Sequence, residues 1–238
     1  MVGVQDEIDF TSPRGRLATR LCDVIERRWP AEVQAIGVHG SLAHGDDHDG
    51  SDVNLTVLTY RAGAGPRPAL RKVDGILVDL RVTTADEFLR RARELTPRWP
   101  LEAELFVTTR PLHDPRSLFA RHRDAHLGRL AEARPHEFSS LARHDWEVAS
   151  AAHCRAVRLA EYYDTDAALV MMADARLHAA LVTGLLSRTY FRNPADAVRR
   201  TGVAGADVQE LGKILDAQAE DLTARGCPVD GTLRDLFE

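Results

Sequence analysis

The chain has 238 residues, with 44% hydrophobic and 28% charged, a composition typical of a globular protein of one large or two smaller domains. Its formal net charge of -5 excludes the basic surplus that general nucleic-acid binding requires. Three widely separated cysteines exclude a disulfide framework, and we see neither a signal peptide nor a long apolar run. We therefore expect a cytoplasmic protein that binds neither nucleic acid nor membrane.

The first half of the chain predicts a mixture of helices and strands. Helical periodicity covers residues 14–28, where Trp29-Pro30 ends the helix, and covers residues 84–95, with a threonine as N-cap. A Gly- and Pro-rich stretch over residues 61–68 predicts a loop. Short apolar or alternating runs predict four strands, over residues 33–38, 52–59, 76–82 and 105–112.

The second half predicts helices alone. Helical periodicity recurs over residues 116–133, 136–161, 166–188, 194–201 and 205–225. This change of character predicts two domains: an α/β domain over residues 1–125 and a helical bundle over residues 126–238.

Acidic side chains stand at two strand positions where a metal ion would find oxygen ligands. Alternation places Asp52 and Asn54 on one face of their strand, about 7 Å apart. Asp79 lies inside the apolar run VDLRV, where a carboxylate is costly unless it is paired or bound to metal. Carboxylates on alternate and neighbouring strand positions form a cage that suits Mg²⁺, although an outward-facing Asp79 on a half-exposed sheet fits the pattern too.

A Gly-Ser turn follows the strand over residues 33–38. Gly40 lets the backbone approach a ligand closely, and Ser41 adds a hydroxyl. The turn and the acidic strands, as GVHGSLAHG, SDVNLTVL and LVDLRV, are followed by WPLEAELFVTTRPLHDP and LHAALVTGLLSRTYF. In order and spacing, over roughly residues 30 to 225, these segments resemble the nucleotidyltransferase superfamily related to DNA polymerase β, and most of all its kanamycin (aminoglycoside) nucleotidyltransferases.

The resemblance implies a fold and a reaction. The fold would be α+β: a polymerase-β-like mixed sheet with helices, followed by an all-helical bundle. The reaction would transfer a nucleoside monophosphate from ATP or another nucleoside triphosphate, with Mg²⁺, to a hydroxyl of a small molecule, as in antibiotic resistance. The resemblance also implies a homodimer.

The family's phosphate and metal residues carry over by position. Gly40 and Ser41 match its phosphate-binding turn, and His44 stands where the family usually has arginine. Asp52 and Asp79 match the first and third metal ligands, while Asn54 stands at the second, which the family fills with a carboxylate.

The family's helical domain supplies a carboxylate base and a basic residue four positions later. In the helix RHDWEVASAAHCRAVR, His153 matches the basic position and Ala149 stands at the base. Asp145 lies on the same helical face as His153, so both are candidate catalytic residues.

These departures weaken the expected activity. Asn54 removes one negative charge from the Mg²⁺ site. Loss of the base would lower the reaction rate by about a hundred-fold or more. Two alternatives stay open: a repurposed biosynthetic enzyme for small molecules (natural products) that uses neither nucleotide nor Mg²⁺, and a non-catalytic small-molecule-binding protein. The first would act through Asp145, His153 or a loop in which His44, His48 and an aspartate hold another metal.

Overall fold

A computed structural model of the chain describes residues 8–231. In chain order these residues form α1 (Pro13–Arg28), β1 (Val33–His39), α2 (Ser41–His44), β2 (Val53–Thr59), β3 (Ala69–Val73), β4 (Ile76–Thr84), α3 (Ala85–Ala92), α4 (Trp99–Thr108), β5 (Arg110–His113), α5 (Leu118–Glu132), α6 (Pro135–Glu161), α7 (Thr165–Leu186), α8 (Pro194–Arg200) and α9 (Val208–Ala224).

The described strands form one mixed sheet in the order β3-β4-β2-β1-β5. Strands β2 and β4 run parallel, and the other neighbouring pairs are antiparallel. All described elements after β5 are helices. The prediction of an α+β chain, with a mixed sheet followed by a helical region, is confirmed.

One face of the sheet is apolar because alternate residues of its central strands are aliphatic. Val38, Leu55 and Leu80 form one such row across β1, β2 and β4. The buried side of α1 covers this face, with its contacts made by Leu17, Ala18, Cys22 and Ile25. The hydrophobic effect thus orients the sheet, and the alternate residues of the same strands point to the opposite face.

That opposite face changes character along the strands. At one end, Ala35 and Leu58 are buried in an aromatic cluster. In this cluster the rings of Phe88 and Phe106 have centroids 5.0 Å apart, and those of Phe88 and Phe119 lie 6.0 Å apart. At the other end the same face carries polar side chains, which are described below as the candidate site.

Two local sequence predictions were wrong. The predicted strand over residues 105–112 is α4 as far as Thr108, and only Arg110–His113 pair in the sheet. Leu105 and Phe106 are both buried, and a helix that is buried on several sides has the same continuous apolar run as a strand. Strand β3 was missed because it is a largely exposed edge strand with a polar sequence, ALRKV.

Small residues allow the long helices to pack closely. Alanines of α6 and α7 meet in the largest helical core, where Ala149, Ala152, Ala175 and Ala179 are all buried. Of the helices within residues 8–231, α7 is the single one that is long and apolar enough to cross a membrane. Its buried residues belong to this core, as expected for the central helix of a bundle.

By its contacts the chain divides into two compact units. The first takes the described residues up to Glu94 together with Glu104–Ala131, and the second takes Leu95–Ala103 with the residues from Glu132 onward. The segment 95–103 belongs with the helices because Trp99 packs edge-on against Phe138, with ring centroids 5.5 Å apart, and Phe191 donates its N–H to the carbonyl of Pro100.

Candidate functional site

Three polar side chains lie side by side on the sheet. His39, Asn54 and Asp79 are register partners across β1, β2 and β4, so they share one face of three adjacent strands. The next row along the strands contains Gly37, Thr56 and Arg81. We call these two rows, with Asp52, the polar rows. They contain Asp52, Asn54 and Asp79, the three positions that the sequence analysis assigned to one metal site.

Asp52 and Asn54 are joined by a hydrogen bond. The amide nitrogen Nδ2 of Asn54 donates to Oδ1 of Asp52 at 2.9 Å. At this position a second carboxylate would repel the first, whereas the amide stabilises it by donating a hydrogen bond. The carbonyl oxygen of Asn54 remains a neutral acceptor, and Asp52 remains an anion that one donor already contacts.

The Gly-Ser turn requires its glycine. Gly40 has φ 74° and ψ -153°, a backbone conformation that is essentially confined to glycine. A Cβ at this position would also lie 3.0 Å from Nδ2 of Asn54. The turn therefore brings its backbone directly beside the polar rows, and Ser41 begins the four-residue helix α2.

His39 is a buried, neutral imidazole. Burial, followed by the positive charge of Arg81, lowers its pKa to about 4, while the acidic groups of Glu104, Asp79 and Asp52 oppose the shift. Its Nε2 has no hydrogen-bond partner among residues 8–231. The ring is therefore uncharged at neutral pH, and its Nε2 makes no hydrogen bond to the described residues.

His44 lies against a buried glutamate. Its Nε2 is 3.1 Å from Oε1 of Glu104, to which the hydroxyl of Thr108 also donates at 2.8 Å. Burial raises the pKa of Glu104. The hydrogen bonds from His44 and Thr108, together with the nearby imidazole of His39, lower it by more, so the net shift is downward. Glu104 is thus ionised and fixes the position of His44. No sequence pattern indicated Glu104, because it lies 60 residues from His44 in the chain, on a helix that was predicted as a strand from residue 105.

Arg81 is the cation of the polar rows. Its Nε donates to Oδ2 of Asp79 at 3.2 Å, and its side chain is 51% exposed. Asp79 and Arg81 both line a cavity of about 560 Å³, together with Thr56, Phe88 and others. The hydroxyl of Thr56 is buried and has no partner among the described residues. A ligand in this cavity would meet a guanidinium group and a carboxylate.

The polar rows fit one Mg²⁺ ion that is shared with a phosphate ligand. Asp52 and Asp79 supply carboxylates and Asn54 a neutral oxygen, and Mg²⁺ is often held by one or two carboxylates plus substrate phosphates. Within residues 8–231 no three histidine, cysteine, aspartate or glutamate side chains converge as a metal site of their own. Protein side chains alone would therefore supply too little negative charge to hold the ion, whereas a phosphate group of the ligand could complete its coordination.

The His-rich loop uses its histidines in different ways. His44 contacts Glu104, whereas Nδ1 of His48 accepts a hydrogen bond from the N–H of Gly50 at 3.1 Å. The buried Arg14 holds the end of this loop by donating to the carbonyl oxygens of Asp49 and Ser51. The contacts of this loop are thus those of an anchored turn.

The helical unit contains a separate polar pair. Oδ1 of Asp145, on α6, lies 2.7 Å from Nδ1 of His178, on α7, and the Asp145 residue is only 1% exposed. The second oxygen, Oδ2, is buried with no partner among the described residues. The Nε2 of His178 lies 3.7 Å from Oδ1 of Asp174. A carboxylate on Nδ1 leaves Nε2 as the basic nitrogen, as in an Asp-His catalytic pair.

The structure does not bring Asp145 and His153 together. The Nε2 of His153 is 2.8 Å from the carbonyl oxygen of Val208 and donates to it. Ala149, which stands at the family's base position, is fully buried in the helical core. The partner of Asp145 is His178, 33 residues away in sequence, which could be found only by knowing how α6 and α7 align.

Comparisons with known proteins find similarity among solved structures. No protein-family profile and no curated protein matches the chain. Among solved structures, the chain is similar to a nucleotidyltransferase-like protein from Exiguobacterium sibiricum 255-15, with 13% identity and a TM-score of 0.45. The likeness covers 87% of this chain and 75% of that one. The case for function therefore depends on the residues of the polar rows themselves.

Proposed function

We propose that the chain is a nucleotidyltransferase-type enzyme. It binds ATP or another nucleoside triphosphate at the polar rows, transfers the nucleoside monophosphate to a hydroxyl group of a small molecule, and releases pyrophosphate and the hydroxyl proton. An aminoglycoside-like compound is the acceptor class that its motifs suggest. The observation that carries this proposal is the in-register row of His39, Asn54 and Asp79, with Asp52 bonded to Asn54 and the Gly40 turn beside it.

The proposed roles follow from the chemistry of each group. Asp52 and Asp79 would hold one Mg²⁺ ion, with Asn54 as a neutral ligand; the ion would supply Lewis-acid polarisation of a phosphoryl oxygen. The backbone at Gly40 and Ser41 would contact the phosphates, next to the Glu104-bound His44. These residues would orient the triphosphate, and the ion that they hold would neutralise part of its charge; positioning and charge stabilisation are most of what phosphoryl transfer requires of a protein.

A binding experiment tests the proposal without knowledge of the acceptor. Thermal unfolding of the full chain is measured with ATP, GTP, CTP and UTP, each with Mg²⁺ and with EDTA. A ligand at a hundred times its dissociation constant adds about 2.7 kcal/mol of stability. We expect at least one triphosphate to stabilise the chain in Mg²⁺, and Asp52→Ala to reduce that gain to the level seen in EDTA. No response to any triphosphate at millimolar concentration would refute the proposal.

The Asp145–His178 pair favours a second candidate, an acid–base enzyme that uses no nucleotide. A buried carboxylate with one unpartnered oxygen is costly to the fold, and such costs recur at functional sites. In this candidate, Asp145 orients the ring of His178, and Nε2 accepts a proton from the substrate.

Chemical modification distinguishes a basic His178 from a structural one. Diethyl pyrocarbonate reacts with an available imidazole nitrogen, and peptide mapping by mass spectrometry gives a rate for each histidine. We expect His178 to react faster than His153, whose Nε2 is bonded to the carbonyl of Val208. The variant Asp145→Asn should slow the reaction at His178 and leave His153 unchanged. Equal rates at His178 in both proteins would remove the support for this candidate.

A further inference from the structure

The polar rows contain a cation at a place that stability does not explain. Arg81 and Asp79 have side chains 51% and 28% exposed, and ion pairs that are exposed to this degree contribute little to folding. The pair is two residues apart on one strand face, so it does not join separate elements of the fold. The position of Arg81 therefore calls for another explanation.

The remaining donors of Arg81 are available to a ligand. Of its nitrogens, only Nε donates to a described residue, Asp79. A guanidinium group has five N–H donors in a rigid fork that suits planar or tetrahedral oxyanions, so both terminal nitrogens can bind a phosphate while Nε keeps its bond to Asp79. Arg81 also lines the 560 Å³ cavity, which gives a ligand room to approach it.

The charge balance of the polar rows favours this arrangement. Asn54 removes one negative charge from the carboxylate set, and its Nδ2 occupies one oxygen of Asp52. Arg81 adds a positive charge on the same face, one row along the strands. Fewer anions and one more cation make the rows a weaker metal site and a better anion site.

We propose that Arg81 binds a phosphate group of the nucleotide directly and supplies part of the positive charge that divalent ions would otherwise provide. This inference rests on the proposed function for the identity of its ligand. It predicts that triphosphate binding persists, though weakened, when Mg²⁺ is removed.

Calorimetric titration with phosphate probes tests the role of Arg81. The probes are ATP, adenosine and inorganic tripolyphosphate, each in EDTA and in Mg²⁺, with the wild type, Arg81→Gln and Arg81→Lys. Charge-assisted hydrogen bonds contribute about 1.5 to 3 kcal/mol. We therefore expect Arg81→Gln to weaken the binding of ATP and of tripolyphosphate by about ten- to a hundred-fold in EDTA. Arg81→Lys should lose less affinity for these two probes, and neither variant should lose affinity for adenosine.

Arg71→Gln is the matched control. Arg71 is exposed on β3 and pairs with Val78, so it lies on the opposite face of the sheet from Asp79 and Arg81. The variant Arg71→Gln removes the same charge as Arg81→Gln, and it should bind every probe as the wild type does. The unfolding temperature of each variant shows that the chain still folds.

The outcomes separate this inference from the proposed function. If the wild type binds ATP and Arg81→Gln binds it within two-fold, the role of Arg81 is refuted and the proposed function stands. If the wild type binds tripolyphosphate through Arg81 but no nucleotide, the anion site stands and the proposed function fails. If the wild type binds neither probe, both are refuted.

Discussion

Asn54 donates a hydrogen bond from its amide to the carboxylate of Asp52, at 2.9 Å, across two positions of one strand. Two carboxylates at these positions would repel each other unless a cation lay between them. The hydrogen-bonded pair of Asp52 and Asn54 needs no cation. The pair therefore stabilises the metal-free polar rows. It also makes Asn54 the position at which metal dependence is most simply changed.

The variant Asn54→Asp should convert the polar rows into a stronger metal site. Without divalent ions, the new charge beside Asp52 should lower the free energy of unfolding by about 1 to 3 kcal/mol, because a hydrogen bond is replaced by repulsion. With millimolar Mg²⁺ that loss should be recovered. Urea unfolding in EDTA and in Mg²⁺ measures both effects.

Asn193→Asp is the control for added charge. Asn193 accepts the N–H of Asp196 at the start of α8, a position that aspartate caps equally well. Its stability should respond to Mg²⁺ as the wild type does. A response of Asn54→Asp to Mg²⁺ no larger than that of Asn193→Asp would contradict the assignment of Asp52 and Asn54 to a metal position.

Gly40→Ala should destabilise the chain and distort the polar rows. The left-handed backbone at Gly40 and the 3.0 Å approach of a Cβ to Asn54 both oppose a side chain, at a cost of about 1 to 3 kcal/mol. Gly128→Ala is the comparison: Gly128 lies within α5 with open space around it, so alanine should stabilise by about 0.5 to 1 kcal/mol. Thermal unfolding should give shifts of opposite sign; equal shifts would refute the strain at Gly40.

The Asp145–His178 pair should be strongly coupled. Removing either partner from a buried charged hydrogen bond leaves the other unsatisfied. A double-mutant cycle with alanine at both positions should therefore give a coupling energy of about 1.5 to 3 kcal/mol. The exposed pair of Arg143 and Glu147, 3.1 Å apart on the same helix, should give at most about 0.5 kcal/mol. Similar coupling energies in the two cycles would show that burial of Asp145 adds nothing to this interaction.

The stability of the first unit should fall in mild acid. Burial, then the charge of Arg121, lowers the pKa of His122, and burial lowers that of His126 despite its bond to a carbonyl oxygen. Both rings pack on phenylalanines at 5.2 Å. Below their ordinary pKa of 6.5, the unfolded chain binds protons that the folded chain does not. Stability is therefore full above pH 6.5 and decreases as the pH falls.

A variant isolates the contribution of one ring. His122→Leu removes a titrating group whose Nδ1 has no partner among residues 8–231. The loss of unfolding free energy between pH 7 and pH 5 should therefore be smaller in this variant than in the wild type. His136→Gln, at an exposed position, should keep the wild-type dependence. An unchanged slope in His122→Leu would contradict the protonation argument.

Periodicity predicted most of the fold. The long helices and the central strands were found because each buries one face, and burial imposes a period on the sequence. The two failures have physical reasons: α4 is buried on several sides and so lacks a helical period, and β3 is exposed and so lacks an apolar alternation.

The candidate site was less predictable than the fold. Asp52 and Asn54 could be placed on one face because they share a strand. The positions of their neighbours His39 and Asp79 depend on the register between strands, which is a property of the paired strands and cannot be read from one strand alone. The contacts of Glu104 and His178 depend on how helices pack, and these residues carried no signal in the sequence.

The two edges of the sheet have a consequence for self-association. Strand β3 presents Arg71 and Lys72 at one edge, and β5 at the other has four residues, one of which, Pro111, has no N–H to donate. Charged and proline-containing edges resist the addition of another strand. We therefore expect that, where two copies of the chain associate, they do so by side-chain packing and not by continuation of one sheet into the next.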